Sequence, residues 1–381
     1  MPSRKFAFPL VALLVALLSC SAVPTGGDLS RPDSQALDVV RYPPKLANNP
    51  YAVLDSGGGH RAFLVQLHDH PGTSIGRLRK FTEKGYDVAS LMDYSGVLDR
   101  PGVWPSLRWP PADHIRVDSL RTLGDLALIP SAEHVAYQHI VVPFVSRWIG
   151  RSETGATIAD SLSCSSSRDC LGKFNKQGAL PIIAHPWTDD IAGIRALLPF
   201  YGIEMYSAFA AARVETGDSF FVSQDRVAQL ERVWDSVLVV DSRVVGVAVS
   251  DHFGAYNEST AISRRILDSG RSVILSTSAS LEDLKDAMAA RRVYAVVDFR
   301  QDKRPRLDVP RLTVRTDTLL VPGSWTVTWR TGSGVLYQGN RLVLREFEPS
   351  RFRGRYVRFV ASLGDSVRVY SQALGISWSS P

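Results

Sequence analysis

Beyond its first fifty residues the chain alternates short apolar runs with amphipathic stretches. Residues 62–67, rich in aliphatic side chains, have the length and composition of a strand. Residues 74–84 read as a short helix with Ile75, Leu78 and Phe81 on one face and Gly85 as the stop. A second strand follows at 86–92. The rhythm returns at 126–129, 140–145, 180–184, 202–206, 244–249 and 273–275. A further helix at 280–291 carries Ser280 and Asp283 in a capping pattern, with Leu281, Leu284 and Met288 as its apolar stripe. Strands alternating with helices from about residue 60 to 300 predict an α/β fold with a parallel sheet, which a barrel closes most economically.

After about residue 305 the helical stretches stop. Short strand-like segments at 311–315, 324–330, 335–337, 342–345, 356–361 and 366–371 are separated by turn signals such as Pro322-Gly323 and Gly332-Ser333-Gly334. They predict a small C-terminal β-sandwich module. The expected layout is a leader at 1–20, a Ser-, Pro- and Gly-rich tether at 21–50, a barrel at 51–304 and the β-module at 305–381.

Composition changes this picture little. With 381 residues, 45% hydrophobic and 22% charged, the chain is an ordinary globular protein. Its formal charge of +6 is dispersed and includes Arg4 and Lys5 of the leader. No basic stripe is present, so no nucleic-acid partner is expected.

The N-terminus and the cysteines speak to location. Arg4 and Lys5 precede an apolar run at 6–18, too short for a comfortable membrane span and in keeping with a secretory leader. An ordinary leader or an uncleaved anchor would share these features. The ending Leu17-Leu18-Ser19-Cys20 resembles the lipobox of bacterial lipoproteins, which implies cleavage before Cys20 and lipidation of its sulfur. Ser21 resembles the outer-membrane sorting pattern. The expected location is therefore the periplasm or cell surface, with a lipid anchor in the membrane. Of the three cysteines, Cys164 and Cys170 remain, in a polar, loop-like stretch. Six residues apart in an oxidising compartment, they read as a loop disulfide. As metal ligands they would need nearby partners, and no histidine flanks them in sequence.

The candidate chemistry lies at the strand ends. His68 and His70 close the first strand at i and i+2, so both imidazoles project from one face as a metal chelate. Asp93 ends the second strand, Glu133 follows the third, His139 opens the next, and His185 and then Asp251-His252 end later ones. Taken singly, His185 before Pro186 also reads as a buried structural histidine, Glu133 as a loop carboxylate and His139 as a strand-start residue. Together they occupy the C-terminal ends of the strands, where parallel barrels build active sites. Of the eight histidines, only His60, His114 and His134 fall outside the set.

Four blocks resemble the PHP (polymerase and histidinol phosphatase) superfamily. They are Leu67-His68-Asp69-His70 followed by a helix and Gly85-Tyr86-Asp87; 128–133 with His139; Ile182-Ile183-Ala184-His185-Pro186; and 234–238 leading to 246–251. The resemblance spans roughly residues 60–300. It implies a distorted (β/α)7 barrel holding divalent metals. His68, His70 and Asp251 would hold one ion, and Glu133 would bridge to a second completed by His139 and His185. Imidazole with carboxylate suits Zn, Mn or Fe. Asp93 and His252 would support catalysis beside the metals, Asp93 by orienting a ligand imidazole.

The chain departs from the family pattern at Tyr94 and Phe253, where the family carries histidines, and at Pro71-Gly72-Thr73 in place of Ser-Asp-Gly. A third metal site is therefore not expected. The implied activity is that of an exported, lipid-anchored, metal-dependent hydrolase, a phosphoesterase acting on a small-molecule phosphoester through a metal-activated water. A carbamate or acyl-ester hydrolase, and a degenerate barrel kept for binding, are the alternatives.

Overall fold

The computed structural model describes residues 44–54, 58–70, 75–95, 124–135, 137–146, 149–151, 162–186, 190–215, 219–222, 224–251, 269–300 and 308–378. The fold is mixed α/β, mostly sheet with few helices. Strands Arg61–Gln66, Val88–Ser95 and Ala127–His134 run parallel, side by side. Strand Ile140–Pro143 then folds back antiparallel on the third of them and pairs, again antiparallel, with Ile182–Ile183. This second reversal restores the original direction for Gly202–Ser207 and Val245–Val249.

On the other side of Arg61–Gln66, strands Gly270–Ser276 and Val293–Asp298 are antiparallel. The parallel expectation therefore holds for six strands and fails at 140–143, 270–276 and 293–298. At 140–143 the reason is length. The few residues between His134 and Ile140 can make a hairpin, whereas a parallel crossover needs about a dozen or more.

The helices start and stop at their local signals, although Leu281 of the expected apolar stripe is exposed while Leu284 and Met288 are buried. Helix Ile75–Glu83 stops at Gly85, which takes φ +76°, and Leu78 and Phe81 are buried. Helix Leu281–Ala289 starts at Ser280, whose hydroxyl accepts the Asp283 N–H at 3.1 Å. Among the described residues no helix is long and apolar enough to cross a membrane.

Among the described residues, strand Val245–Val249 has a backbone ladder on one edge only. Its other edge is met by buried side chains. The Gly246 N–H and C=O bond the Gln372 amide at 2.7 and 2.8 Å. The Ala248 N–H and C=O bond the Ser272 hydroxyl at 3.3 and 3.0 Å, and just past the strand the Ser250 N–H donates to Gln66 Oε1 at 3.1 Å. Alternate residues present their amides to one edge of a strand, so three side chains replace a ladder and leave no buried peptide group unpaired there. Gly270 is needed beside them, because a Cβ there would stand 1.9 Å from the Val249 carbonyl oxygen.

The C-terminal strands are as β-rich as expected: Thr313–Arg315, Thr318–Leu320 and Arg341–Val343 form a separate three-stranded sheet, while the others extend the main sheet. Strand Val367–Tyr370 pairs with Val293–Asp298, then Tyr356–Leu363 and Thr326–Thr331 follow. Leu374–Trp378 pairs with Pro44–Leu46, so part of the expected tether belongs to the folded body. Val273, Leu275, Tyr294 and Val296 of the main body share one apolar core with Val327, Trp329, Phe359 and Val369. Period-two patterning identifies strands but not the edge to which they attach.

A buried ion pair joins this extension to helix Gln224–Leu238. Arg358 is fully buried, donates from Nε to Asp235 Oδ1 at 2.8 Å with Nη2 2.7 Å from the same oxygen, and lies 4.6 Å over the Trp234 ring. Arg330 reaches the other Asp235 oxygen at 3.3 Å, and the Tyr370 hydroxyl donates to Glu231 at 2.8 Å.

Candidate metal centre

Six of the expected residues meet at one end of the sheet. His68 and His70 follow strand Arg61–Gln66, with Asp69 between them accepting the His70 N–H at 2.7 Å. Glu133 lies near the end of Ala127–His134, His185 follows Ile182–Ile183, and Asp251 follows Val245–Val249. These strands share one direction, so the same ends come together. His139 precedes a strand that runs the opposite way, and the hairpin brings it to the same end. A parallel strand would have carried it to the far side.

The distances define two adjoining donor sets. In the first, His68 Nε2 lies 3.3 Å from His70 Nε2. Glu133 Oε2 is 3.5 and 3.1 Å from these two nitrogens, and Asp251 Oδ1 is 3.4 and 3.9 Å from them. In the second, Glu133 Oε1 lies 2.9 Å from His139 Nδ1 and 3.4 Å from His185 Nε2, and Asp251 Oδ2 is 3.9 Å from His185 Nε2. Donors about 2.1 Å from a shared divalent ion stand about 3.4 Å apart at tetrahedral angles and about 3.0 Å at octahedral ones. Most of the observed edges, 2.9 to 3.5 Å, lie close to that range, and the 3.9 Å edges from Asp251 to His70 and His185 are longer. Glu133 divides its two oxygens between the sets, and Asp251 does the same.

Glu204 is the residue that sequence reading missed. It sits inside strand Gly202–Ser207, fully buried among apolar neighbours. Its Oε1 accepts the His68 Nδ1–H at 2.6 Å, which turns the His68 Nε2 lone pair toward the other donors. Its Oε2 accepts the His185 N–H at 2.7 Å, so one carboxylate braces both sets. The available signal was a single carboxylate in an otherwise buried run.

His185 and Asp251 have φ of +26° and +53°, unusual for residues with a Cβ and costing about 1–3 kcal/mol each. Hydrogen bonds hold both: His185 through Glu204, and Asp251 through its N–H to the His68 carbonyl at 2.9 Å.

Charge is unevenly matched. Burial alone would lower the His68 pKa, yet the Asp251, Glu204 and Glu133 carboxylates outweigh it and hold the group well above the ordinary imidazole value. Burial would raise Glu133, but His68 and hydrogen bonds from His139 and His185 hold it well below the usual carboxylate range. His185 is likewise raised against its burial, chiefly by Glu133. Three buried carboxylates, Glu133, Glu204 and Asp251, face imidazoles rather than guanidinium or ammonium groups in the contacts described, a set that divalent cations would suit. His139 is the open side of the centre, with 42% of its side chain exposed.

Asp93 lies on strand Val88–Ser95, in register with Ala132, and Tyr94 is in register with Glu133. That strand runs beyond the expected end at Met92. His252 and Phe253 lie outside the described residues, as do Cys20, Ser21 and residues 71–74. Cys164 and Cys170 are disulfide-bonded. They belong to a strand and a helix rather than a loop, and His134 packs against both sulfurs, a partner the sequence did not reveal.

No family model matches this sequence, and no curated protein matches it. Among solved structures, the chain is similar to a two-domain protein from Bacteroides vulgatus containing a predicted PHP-like metal-dependent phosphoesterase. The likeness has a TM-score of 0.40 and 14% identity, over 82% of this chain and 88% of that one. At that distance it transfers no residue roles, which rest on the geometry above.

Proposed function

We propose that this chain is a metal-dependent hydrolase, a phosphoesterase built on a two-metal centre. The observation that supports this most directly is the division of Glu133, with one oxygen toward His68 and His70 and the other toward His139 and His185. When bound, a divalent pair supplies Lewis acidity, polarising a phosphoryl or acyl oxygen and making water nucleophilic near neutral pH. The chain's own part is placement. Glu133 and Asp251 hold the two donor sets together, Glu204 fixes the His68 tautomer, and Leu67 and Ala184, next to ligands in sequence, are packed into one buried cluster with Val249, two residues before Asp251. Such buried surroundings strengthen the charge interactions on the closed side of the site.

The preference for a phosphoester rests on the order of the sequence motifs. A carbamate or acyl ester calls on the same two-metal chemistry. The test is metal analysis of the pure protein followed by a panel of phosphomonoesters, phosphodiesters and acyl esters. About two transition-metal ions per chain are expected, with turnover of a phosphoester that disappears in a His68→Ala, His185→Ala double variant. Turnover confined to acyl esters would move the assignment to that class. Absence of metal after reconstitution would refute the hydrolase reading in favour of a binding protein.

The same reading includes export and a lipid anchor at Cys20. It is supported by the leader-like N-terminus and by a disulfide, a bond that persists in oxidising compartments. Cys20→Ala is expected to move the protein from the membrane fraction to the soluble one; unchanged fractionation would remove the anchor from the proposal.

A further inference from the structure

We propose that Cys164, Cys170 and His134 form a second metal site in the thiol state of the protein, selective for a thiophilic ion such as zinc(II) or copper(I). His134 follows Glu133 on strand Ala127–His134, and successive side chains on a strand face opposite ways. His134 therefore points away from the centre described above. Its Nε2 lies 3.5 Å from Cys164 Sγ and 3.2 Å from Cys170 Sγ, and all three residues are fully buried. They come from three separate elements, the strand of His134, strand Leu162–Cys164 and helix Ser167–Lys176. The imidazole is packed edge-on against Phe174 at 5.9 Å, and the Tyr137 hydroxyl donates to the Cys164 carbonyl at 3.4 Å.

Two features make this a ligand set rather than ordinary packing. A disulfide has no need of an imidazole, yet a ring nitrogen is directed at both sulfurs. The spacing is also that of coordination: zinc bonds of about 2.0 Å to nitrogen and 2.3 Å to sulfur place N and S about 3.5 Å apart at a tetrahedral angle. The two sulfurs must separate to about 3.8 Å for the same geometry. With the Cα atoms 5.1 Å apart, side-chain rotation accomplishes this.

The chemistry balances with a dithiol reductant. It supplies two electrons and two protons, the Sγ–Sγ bond breaks, two thiols form and the reductant leaves as its own disulfide. The ion then displaces both thiol protons and takes two thiolates and one imidazole, a donor set that favours soft metals. Oxidation closes the site by joining two of its three donors.

Cobalt(II) titration of the reduced full-length chain tests this, with Cys20→Ser as background so that Cys164 and Cys170 are the only thiols. The expected result is a near-ultraviolet thiolate-to-cobalt absorption that saturates at one ion per chain, is displaced by zinc and is absent from the oxidised protein. The centre at Glu133 has no sulfur and cannot produce that band. His134→Asn is expected to weaken cobalt binding about tenfold or more while keeping the band, and Cys170→Ser to abolish it. A reduced protein that gives no such band, folded or not, overturns the site. Equal affinity in His134→Asn removes His134 from it.

Discussion

Asp235 and Asp251 are both interior carboxylates, and they differ in what surrounds them. Asp235 meets Arg358 at 2.7 Å and Arg330 at 3.3 Å, so its charge is balanced by the chain itself. Asp251 faces the imidazoles of His68, His70 and His185, at 3.4 to 3.9 Å, in company with two more buried carboxylates. Guanidinium groups bind a carboxylate through fixed N–H donors and finish the site. Imidazoles directed at carboxylates across ligand-edge distances leave a place for a cation. The first cluster is architecture; on the proposed reading, the second is a receptor.

That contrast can be broken from either side. The largest expected effect is at the self-contained cluster. Arg358→Ala should cost about 3 kcal/mol by leaving Asp235 underpaired in the interior, seen as a lower denaturation midpoint, with metal content per folded chain unchanged. Metal loss in step with stability would show that the two clusters are not independent.

At the second cluster, Glu204→Gln should weaken metal binding about 10–100-fold with little change in the unfolding midpoint of the metal-free protein. Competition with a chromophoric chelator measures this, and unchanged affinity would deny Glu204 its bracing role.

The smallest effect concerns protons. The metal-free protein holds His68 protonated above the ordinary imidazole range, so an entering ion must displace that proton. Affinity should therefore rise with pH through and beyond that range, as calorimetry in buffers of different ionisation heat would show. Arg358→Ala should leave this slope untouched.

Much of the centre was legible because it interrupts patterns. His68 and His70, Glu133, His185 and Asp251 each stand where an apolar strand ends, and strands of common direction bring their ends together. Glu204 was not legible, because a carboxylate inside Gly202–Ser207 gains meaning only from two neighbouring strands. His134 was invisible for the opposite reason: its partners lie thirty and more positions away, on another face of its strand. The α/β class could be read from periodicity. The reversed strands could not, since alternation of hydrophobicity carries no direction along the chain.

The strand that leads to Asp251 is sewn to its neighbours by Gln66, Ser272 and Gln372. Gln372 belongs to the C-terminal extension, which therefore is not an appendage that evolution or an engineer can shed. A chain cut after residue 304 would strip the Gly246 peptide of both its hydrogen bonds and slacken the seam five residues before a ligand carboxylate. The seam ties the main sheet and its C-terminal extension into a single unit.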